Sequence, residues 1–359
     1  MTARRLRSTI ITLAALLASV FAIAACGSSS TSSSSTTQAA ATSAASGKPT
    51  LIVYSAQGYS PASVKAFEKE TGTPTKLVEN STGPLEARIQ AEKADPQWGL
   101  LWVDGNEGFA TLDSAGLLKK NLEVPPLGAT GTSLVPANHS FVPTGITLAC
   151  TIIYNSKEVP NPPSTWQQLL ESKYAGKIGM NNPAVSGPTY PCVAGVMNYL
   201  GGISQGEAYF EKLKSAGLHV SETNGATLHL LETGQIQIGL IQSSAAIGAA
   251  KKVPGLKVGY LPKLTILPSA IGVDAKAPAA VQEEAQKFLT WVLSPAGQHV
   301  MQTGEPEGDS LFWPVAPNTK PLPALPQELS KISTQELEPY EWGKREAEIN
   351  HWFDTNIAE

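Results

Sequence analysis

Leu51-Ile52-Val53-Tyr54-Ser55, followed by Ser60-Pro61 and then Val64-Lys65-Ala66-Phe67-Glu68-Lys69-Glu70-Thr71-Gly72, is the stretch from which the fold is read. A short apolar run is a buried-strand pattern, and Ser60-Pro61 offers a cap and a first-turn proline. Val64 and Phe67 then fall on one helical face, and Gly72 closes the helix. The unit repeats. Residues 75–78 read as a strand, Ser81-Thr82-Gly83-Pro84 as loop and cap, and 85–94 as a helix with Leu85 and Ile89 inward. A third strand, 99–103, runs into Asp104-Gly105-Asn106-Glu107 and a helix ending near Gly116. Strands alternating with helices at this interval predict an α/β domain with a largely parallel sheet.

A second stretch opens on a long apolar strand at 146–154. It continues with helices at 166–170, 186–200 and 205–216 and with strands at 177–181 and 236–241. Strands at 257–261 and 264–273, a helix at 279–293 and a helical tail at 335–353 complete a second α/β lobe.

The first 25 residues have the zones of an export signal: Arg4, Arg5 and Arg7, an apolar stretch at 10–23, then small residues. That stretch is shorter than the roughly 20 residues of a bilayer span. The run Ile23-Ala24-Ala25-Cys26 resembles a bacterial lipobox, which implies cleavage before Cys26 and acylation of that cysteine. An ordinary secretory signal or an uncut anchor are the alternatives. Residues 26–48 are rich in Ser, Thr and Ala, have almost nothing to bury, and read as a flexible leash. The net charge is −4 and no basic tract appears in the body, which argues against nucleic acid as a partner. Beyond Cys26 only Cys150 and Cys192 remain, an even pair in a compartment that permits disulfides. One disulfide is expected; two buried thiols is the alternative.

The order of segments resembles the extracellular solute-binding proteins of ABC importers, in the branch with ferric-iron, phosphonate and thiamine binders. Besides the opening strand and helix, Asn182-Pro183-Ala184-Val185-Ser186-Gly187 and residues 285–298, Ala-Gln-Lys-Phe-Leu-Thr-Trp-Val-Leu-Ser-Pro-Ala-Gly-Gln, carry the resemblance. It implies the two-lobed type II periplasmic-binding-protein fold, with ligand held between lobes that close by a hinge. Lobe 1 is expected to comprise 49–145 and 266–315, and lobe 2 to comprise 146–265 and 316–359, with crossings near 144–147 and 264–269. It further implies a small-molecule solute, permease subunits as partners, no cofactor, no catalysis, a monomeric body and a membrane contact through the lipid on Cys26.

Ligands in open α/β sheets sit outside the carboxyl ends of the strands, so the loops there are the candidate site. They supply Ser55, Gln57, Ser81, Thr82, Asp104, Asn106, Ser186, Gly187, Thr189, Gln242, Ser243 and Ser244. The helix starts at Ser81-Thr82 and Ser186-Gly187-Thr189 suit an anionic group; ordinary capping is the plainer reading. A phosphonate or organophosphate is therefore the expected solute, with a polyamine-like or thiamine-like cation as the alternative. Asp104 and Glu107 are placed to receive an amino group, or else serve as a helix cap and first-turn acid. Tyr59, Trp102, Tyr190 and Trp313 are candidate cleft walls. The ferric binders' paired tyrosines are replaced here by Ser243-Ser244, which argues against iron.

The 5 histidines are scattered without metal-ligand spacing, and neither a nucleophile elbow nor a phosphate loop appears. A hydrolase would have to draw paired carboxylates from distant loops, and a ligand-sensing lipoprotein is the other alternative.

Overall fold

A computed structural model describes residues 47–325 and 328–359. The signal, Cys26 and nearly all of the expected leash lie outside the described residues.

The first lobe begins as read. β1 (Leu51–Ser55) leads into α1 (Ser60–Thr71), where Pro61 stands in the first turn and Gly72 takes the left-handed cap at φ 70°. β2 (Thr75–Glu79), α2 (Thr82–Ala91), β3 (Leu100–Asp104) and α3 (Asn106–Ser114) follow. β1 pairs in parallel with both β2 and β3. After the short α4 (Ala129–Ser133), β4 (Phe141–Leu148) completes the chain's first visit to this sheet.

The second lobe comprises β5 (Thr151–Asn155), β6 (Ile178–Asn181), α5 (Thr189–Leu200), α6 (Ile203–Ser215) and β7 (His219–Ser221). It continues with α7 (Asn224–Glu232), β8 (Ile238–Ile241), α8 (Ser243–Lys252) and β9 (Leu256–Gly259). Its sheet runs β7-β6-β8-β5-β9, with β6 parallel to both neighbours and β5 antiparallel to both of its own.

β10 (Leu264–Val273) returns to the first sheet, antiparallel to β3 and β4. α9 (Ala279–Val292), α10 (Pro295–Gly304) and β11 (Trp313–Pro314) stay with that lobe. The order there is β11-β4-β10-β3-β1-β2, with β12 (Thr334–Gln335) on the start of β10. α11 (Pro339–Gly343) and α12 (Glu346–Phe353) end the chain. This is the α/β, two-lobed type II periplasmic-binding fold. Each sheet is parallel where strand–helix units repeat and antiparallel where a crossing strand runs back, so the largely parallel expectation holds for only part of each.

Three expectations change in detail. The apolar run at 146–154 is two strands rather than one: Cys150 sits at φ 59°, and this left-handed residue ends β4 and starts β5. The crossings therefore fall at 149–150, a few residues after the first expected place, and at 260–263, a few residues before the second, because β4 and β10 are needed at full length to pair with each other. The tail at 316–359 is shared between lobes. β12 pairs with β10 of the first lobe while its Gln335 Nε2 donates to the Gly195 carbonyl of α5 at 2.8 Å; the Thr111 hydroxyl on α3 donates to the Gly343 carbonyl at 2.9 Å, and on α12 Phe353 stacks edge-on against Phe210 of α6.

The cores explain the sequence pattern. Val53, Phe67, Trp102 and Phe288 are wholly buried, with Phe67 edge-on to Phe288 at 5.0 Å and Trp102 edge-on to Phe288 at 5.6 Å. Each such ring removes a large apolar area from water and adds pair energy when packed at this angle. Trp102 Nε1 donates to Thr144 Oγ1 at 3.0 Å, which settles the one polar atom of that indole. Tyr59 lies 5.1 Å from the Trp102 ring and donates its hydroxyl to Ser269 Oγ. Tyr59, Trp102 and Trp313 thus belong to the core rather than to the cleft wall.

Candidate functional site

Between the lobes lies a cleft of about 390 Å³. Asp104, at the end of β3, stands at its centre with its carboxylate used in both directions. Oδ1 accepts from Gln57 Nε2 of the first lobe at 2.9 Å, and Oδ2 accepts from Gln242 Nε2 of the second at 3.0 Å. Gln242 Nε2 also donates to Thr147 Oγ1 at 3.1 Å. Asn224 at the start of α7 donates to Gln242 Oε1 at 3.4 Å and accepts from Asn181 Nδ2 at 2.7 Å. Asn181 Nδ2 also donates to Ser186 Oγ, 3.1 Å away. A continuous polar network therefore runs from one lobe's strand ends to the other's.

A second carboxylate, Asp309, faces the same space. Its Oδ2 accepts from the Gly58 N–H at 2.8 Å and its Oδ1 from the Ser244 hydroxyl at 3.4 Å. Glu232, Glu305 and Glu307 add three more acids to the lining, against a single cation, Lys252, which pairs with Glu307 at 2.7 Å. The apolar lining among the described residues is aliphatic: Ala56, Pro188, Leu228, Ala245 and Ala249, with no aromatic ring.

Of the expected site residues, Ser81, Thr82, Asp104, Ser186, Gly187 and Gln242 line the cleft, and Gln57 reaches it through Asp104. The others are occupied elsewhere. The Ser55 hydroxyl bonds Ser60 Oγ and the Trp102 carbonyl and is fully buried. Ser243 Oγ accepts from the Leu148 N–H and so fastens α8 to the first crossing. Ser244 is spent on Asp309, and Asn106 donates to the Leu134 carbonyl. Thr189 begins α5 away from the cleft lining, and its N–H goes to the Ser186 carbonyl. The expected anion cradle at α5 is thereby reduced, since the Ser186 N–H donates to the Asn182 carbonyl and residue 188 is a proline without an N–H.

Sequence reasoning missed Asp309, Glu305 and the start of α7. At α7 the Thr223 hydroxyl accepts from the Ala226 N–H at 3.3 Å, leaving the first-turn N–H groups of Asn224 and Gly225 without intrahelical acceptors. Thr-Asn-Gly is a readable cap signal. Gly304-Glu-Pro-Glu-Gly-Asp-Ser310 is equally readable as an acidic turn; its place in the cleft is not.

Burial pushes the Asp104 carboxyl up to about 6, against the pull of the Gln57 and Gln242 amides. Asp309 rises to about 7 through burial first, then the charges of Asp104 and Glu305. Beside the cleft a cavity of about 20 Å³ gathers Glu86, Glu107 and Glu346. Burial raises Glu107 to about 7 and, with Glu107 nearby, Glu86 to about 8; Glu346 is raised by burial and by both neighbours. A carboxyl whose folded value exceeds its unfolded one stabilises the protein below the ordinary carboxylate range, and this contribution is lost as pH rises through the folded value. The ligand-free protein is therefore expected to melt progressively lower between pH 6 and pH 8.5, with a shallower decline in Glu107→Gln. A melting temperature that is flat or rises over that range would contradict these buried acids.

Residues 62–325 match the family model described as bacterial extracellular solute-binding protein, and the chain belongs to that family. It is an extracytoplasmic solute-binding protein of the kind that serves ABC importers, and the family and the two relatives named next are described as binding proteins and not as enzymes. It is 25% identical over 240 residues to a putative 2-aminoethylphosphonate-binding periplasmic protein of Salmonella typhimurium, covering 65% of this chain and 68% of that one. To the thiamine-binding periplasmic protein of Brucella suis it is 25% identical over 327 residues, 86% of this chain and 92% of that one. Among solved structures it superposes on the periplasmic binding protein P5PA with a TM-score of 0.75 at 19% identity, covering 86% and 100% of the two chains. A periplasmic thiamin binding protein gives a TM-score of 0.69 at 21% identity, with 87% and 97% covered.

Proposed function

We propose that the protein captures a small aliphatic solute bearing a cationic nitrogen, an aminoalkylphosphonate before any other class, and hands it to an ABC-type permease while held at the membrane through lipidated Cys26. The observation that carries this reading is the pair Asp104 and Asp309 in a lining of five carboxylates and one already paired lysine. Such a lining repels a simple dianion and attracts an ammonium group. The phosphonate end then meets N–H groups and the positive dipole end at the start of α7, with Ser81, Thr82 and Ser186 as hydroxyl donors. This moves the weight of recognition from the anionic end, where the sequence put it, to the cationic one.

Two relatives, the 2-aminoethylphosphonate and thiamine binders, are named for solutes that each carry a positive nitrogen. The aliphatic lining favours the first, because a thiamine-like ring pair would have no aromatic face to stack on. Calorimetry with 2-aminoethylphosphonate, ethylphosphonate, thiamine and putrescine tests the reading. The aminophosphonate should bind at least tenfold tighter than ethylphosphonate; equal affinity for the two, or tighter ethylphosphonate binding, would remove the cationic end from the argument. The anchor is tested separately: Cys26→Ser should leave the membrane fraction or accumulate uncleaved, and unchanged retention and processing would refute lipidation.

A further inference from the structure

We propose that the turn at residues 305–309 of the first lobe and one face of α8 in the second form a catch that holds the lobes closed over the cleft, with Gly248 as the position that admits it. Ser244, Gly248 and Lys252 recur every four residues and so share a face of α8. All three meet the turn: the Ser244 hydroxyl donates to Asp309 Oδ1 at 3.4 Å, Lys252 Nζ pairs with Glu307 Oε2 at 2.7 Å, and between them Gly248 lies against the Glu307 carbonyl. A Cβ at 248 would run into that carbonyl oxygen, which is backbone and cannot swing aside.

The turn itself is fixed to its own lobe. The Gly58 N–H donates to Asp309 Oδ2, the Asp309 N–H donates to Glu305 Oε2, and the Ser310 hydroxyl accepts from the Glu305 N–H, the last two at 2.8 Å and 2.9 Å. It is therefore a rigid tooth, and α8 is the notch. The geometry also explains a residue that local propensity opposes. A glycine in mid-helix is destabilising relative to alanine, and α8 carries one where the other lobe's backbone arrives. The ion pair is not what holds the catch, since Lys252 and Glu307 side chains are 52% and 55% exposed and exposed pairs contribute little. Close backbone approach at 248 is the deciding contact. Because Asp309 belongs both to the tooth and to the ligand lining, closure and completion of the site are one event. The inference rests on the lobe contacts and not on the ligand's chemistry.

The test needs no ligand. In the full chain, Lys252→Cys with Glu307→Cys is treated with a short bismaleimide, and the 252–307 cross-link is read by peptide mapping. It should form readily when residue 248 is glycine and fall at least tenfold when Gly248→Leu is added. Gly248→Ala, which favours the helix and adds one methyl group, should lower it in the same direction while the ligand-free protein melts no lower than the parent. Equal cross-linking with glycine and alanine at 248, or no cross-link in the glycine background, would overturn the catch.

Discussion

Asp104→Asn is expected to weaken binding of 2-aminoethylphosphonate by about 3 kcal/mol, roughly a hundredfold, while leaving the melting temperature of the ligand-free protein unchanged or higher. Two effects act together. The substitution removes the charge that meets an ammonium group at a buried carboxylate, where such a pair is worth more than on a surface. It also places an amide between two amide donors, Gln57 Nε2 of the same lobe and Gln242 Nε2 of the other, so one of these two contacts becomes donor against donor. In the ligand-free fold that lost contact is offset, because a buried carboxyl that costs desolvation is replaced by a neutral group. For ethylphosphonate, which has no nitrogen, the same substitution should cost much less. Calorimetry on the two ligands separates the charge effect from damage to the cleft, and a similar loss for both would mean that Asp104 shapes the site without reading the amine. Acidification should act as the substitution does: affinity for the amine falls as pH drops through the values near 7 and 6 to which Asp309 and Asp104 are raised.

The elements of the first lobe were legible because they obey local rules. Val64 and Phe67 recur at helical spacing behind Pro61, Gly72 ends the helix, and β10 occupies 264–273 as read. Where the chain crosses between lobes the same rules say little. Ile146 to Tyr154 is one apolar run, yet Cys150 turns it at a positive φ set by the pairing of β4 with β10 and of β5 with β8. Those pairings join residues far apart in the chain, Leu148 with Ile266 and Thr151 with Ile241 among them, and no local window contains them. The site shows the same division. Asp104, Gln242 and Ser186 follow strands and could be found from that fact alone. Asp309 sits in a turn between a helix and a two-residue strand, and it faces the cleft only because Gly58 and Ser244 hold it there. Hydroxyl groups were the weakest guide. Ser55, Ser243 and Ser244 lie at strand ends or helix starts as a ligand loop would, and each is consumed by the backbone or side chains of the fold itself. A short hydroxyl satisfies nearby buried groups as readily as it binds a solute, and sequence does not distinguish the two uses.

Replacing Cys150 and Cys192 by alanine should lower stability by about 4 kcal/mol, the chain-entropy estimate for opening a loop of this size. The two cysteines are joined across 42 residues with Cα atoms 5.0 Å apart. The bridge lies at the first crossing, tying the left-handed residue between β4 and β5 to the first turn of α5, so it also limits how the second lobe is presented at the hinge. The positive φ at position 150 strains cysteine and alanine alike, since both carry a Cβ, so Cys150→Gly with Cys192→Ala should recover up to about 1 kcal/mol relative to the alanine pair. Both residues are nearly inaccessible, at 3% and 2%, so a thiol reductant should act slowly on the folded protein and quickly once denaturant opens it. Guanidinium unfolding of the parent and both double variants measures these differences in a single series. Coincident midpoints for parent and Ala/Ala would mean the bridge contributes nothing. A glycine variant no more stable than the alanine one would place the strain at 150 elsewhere, since only a residue without Cβ adopts that conformation freely.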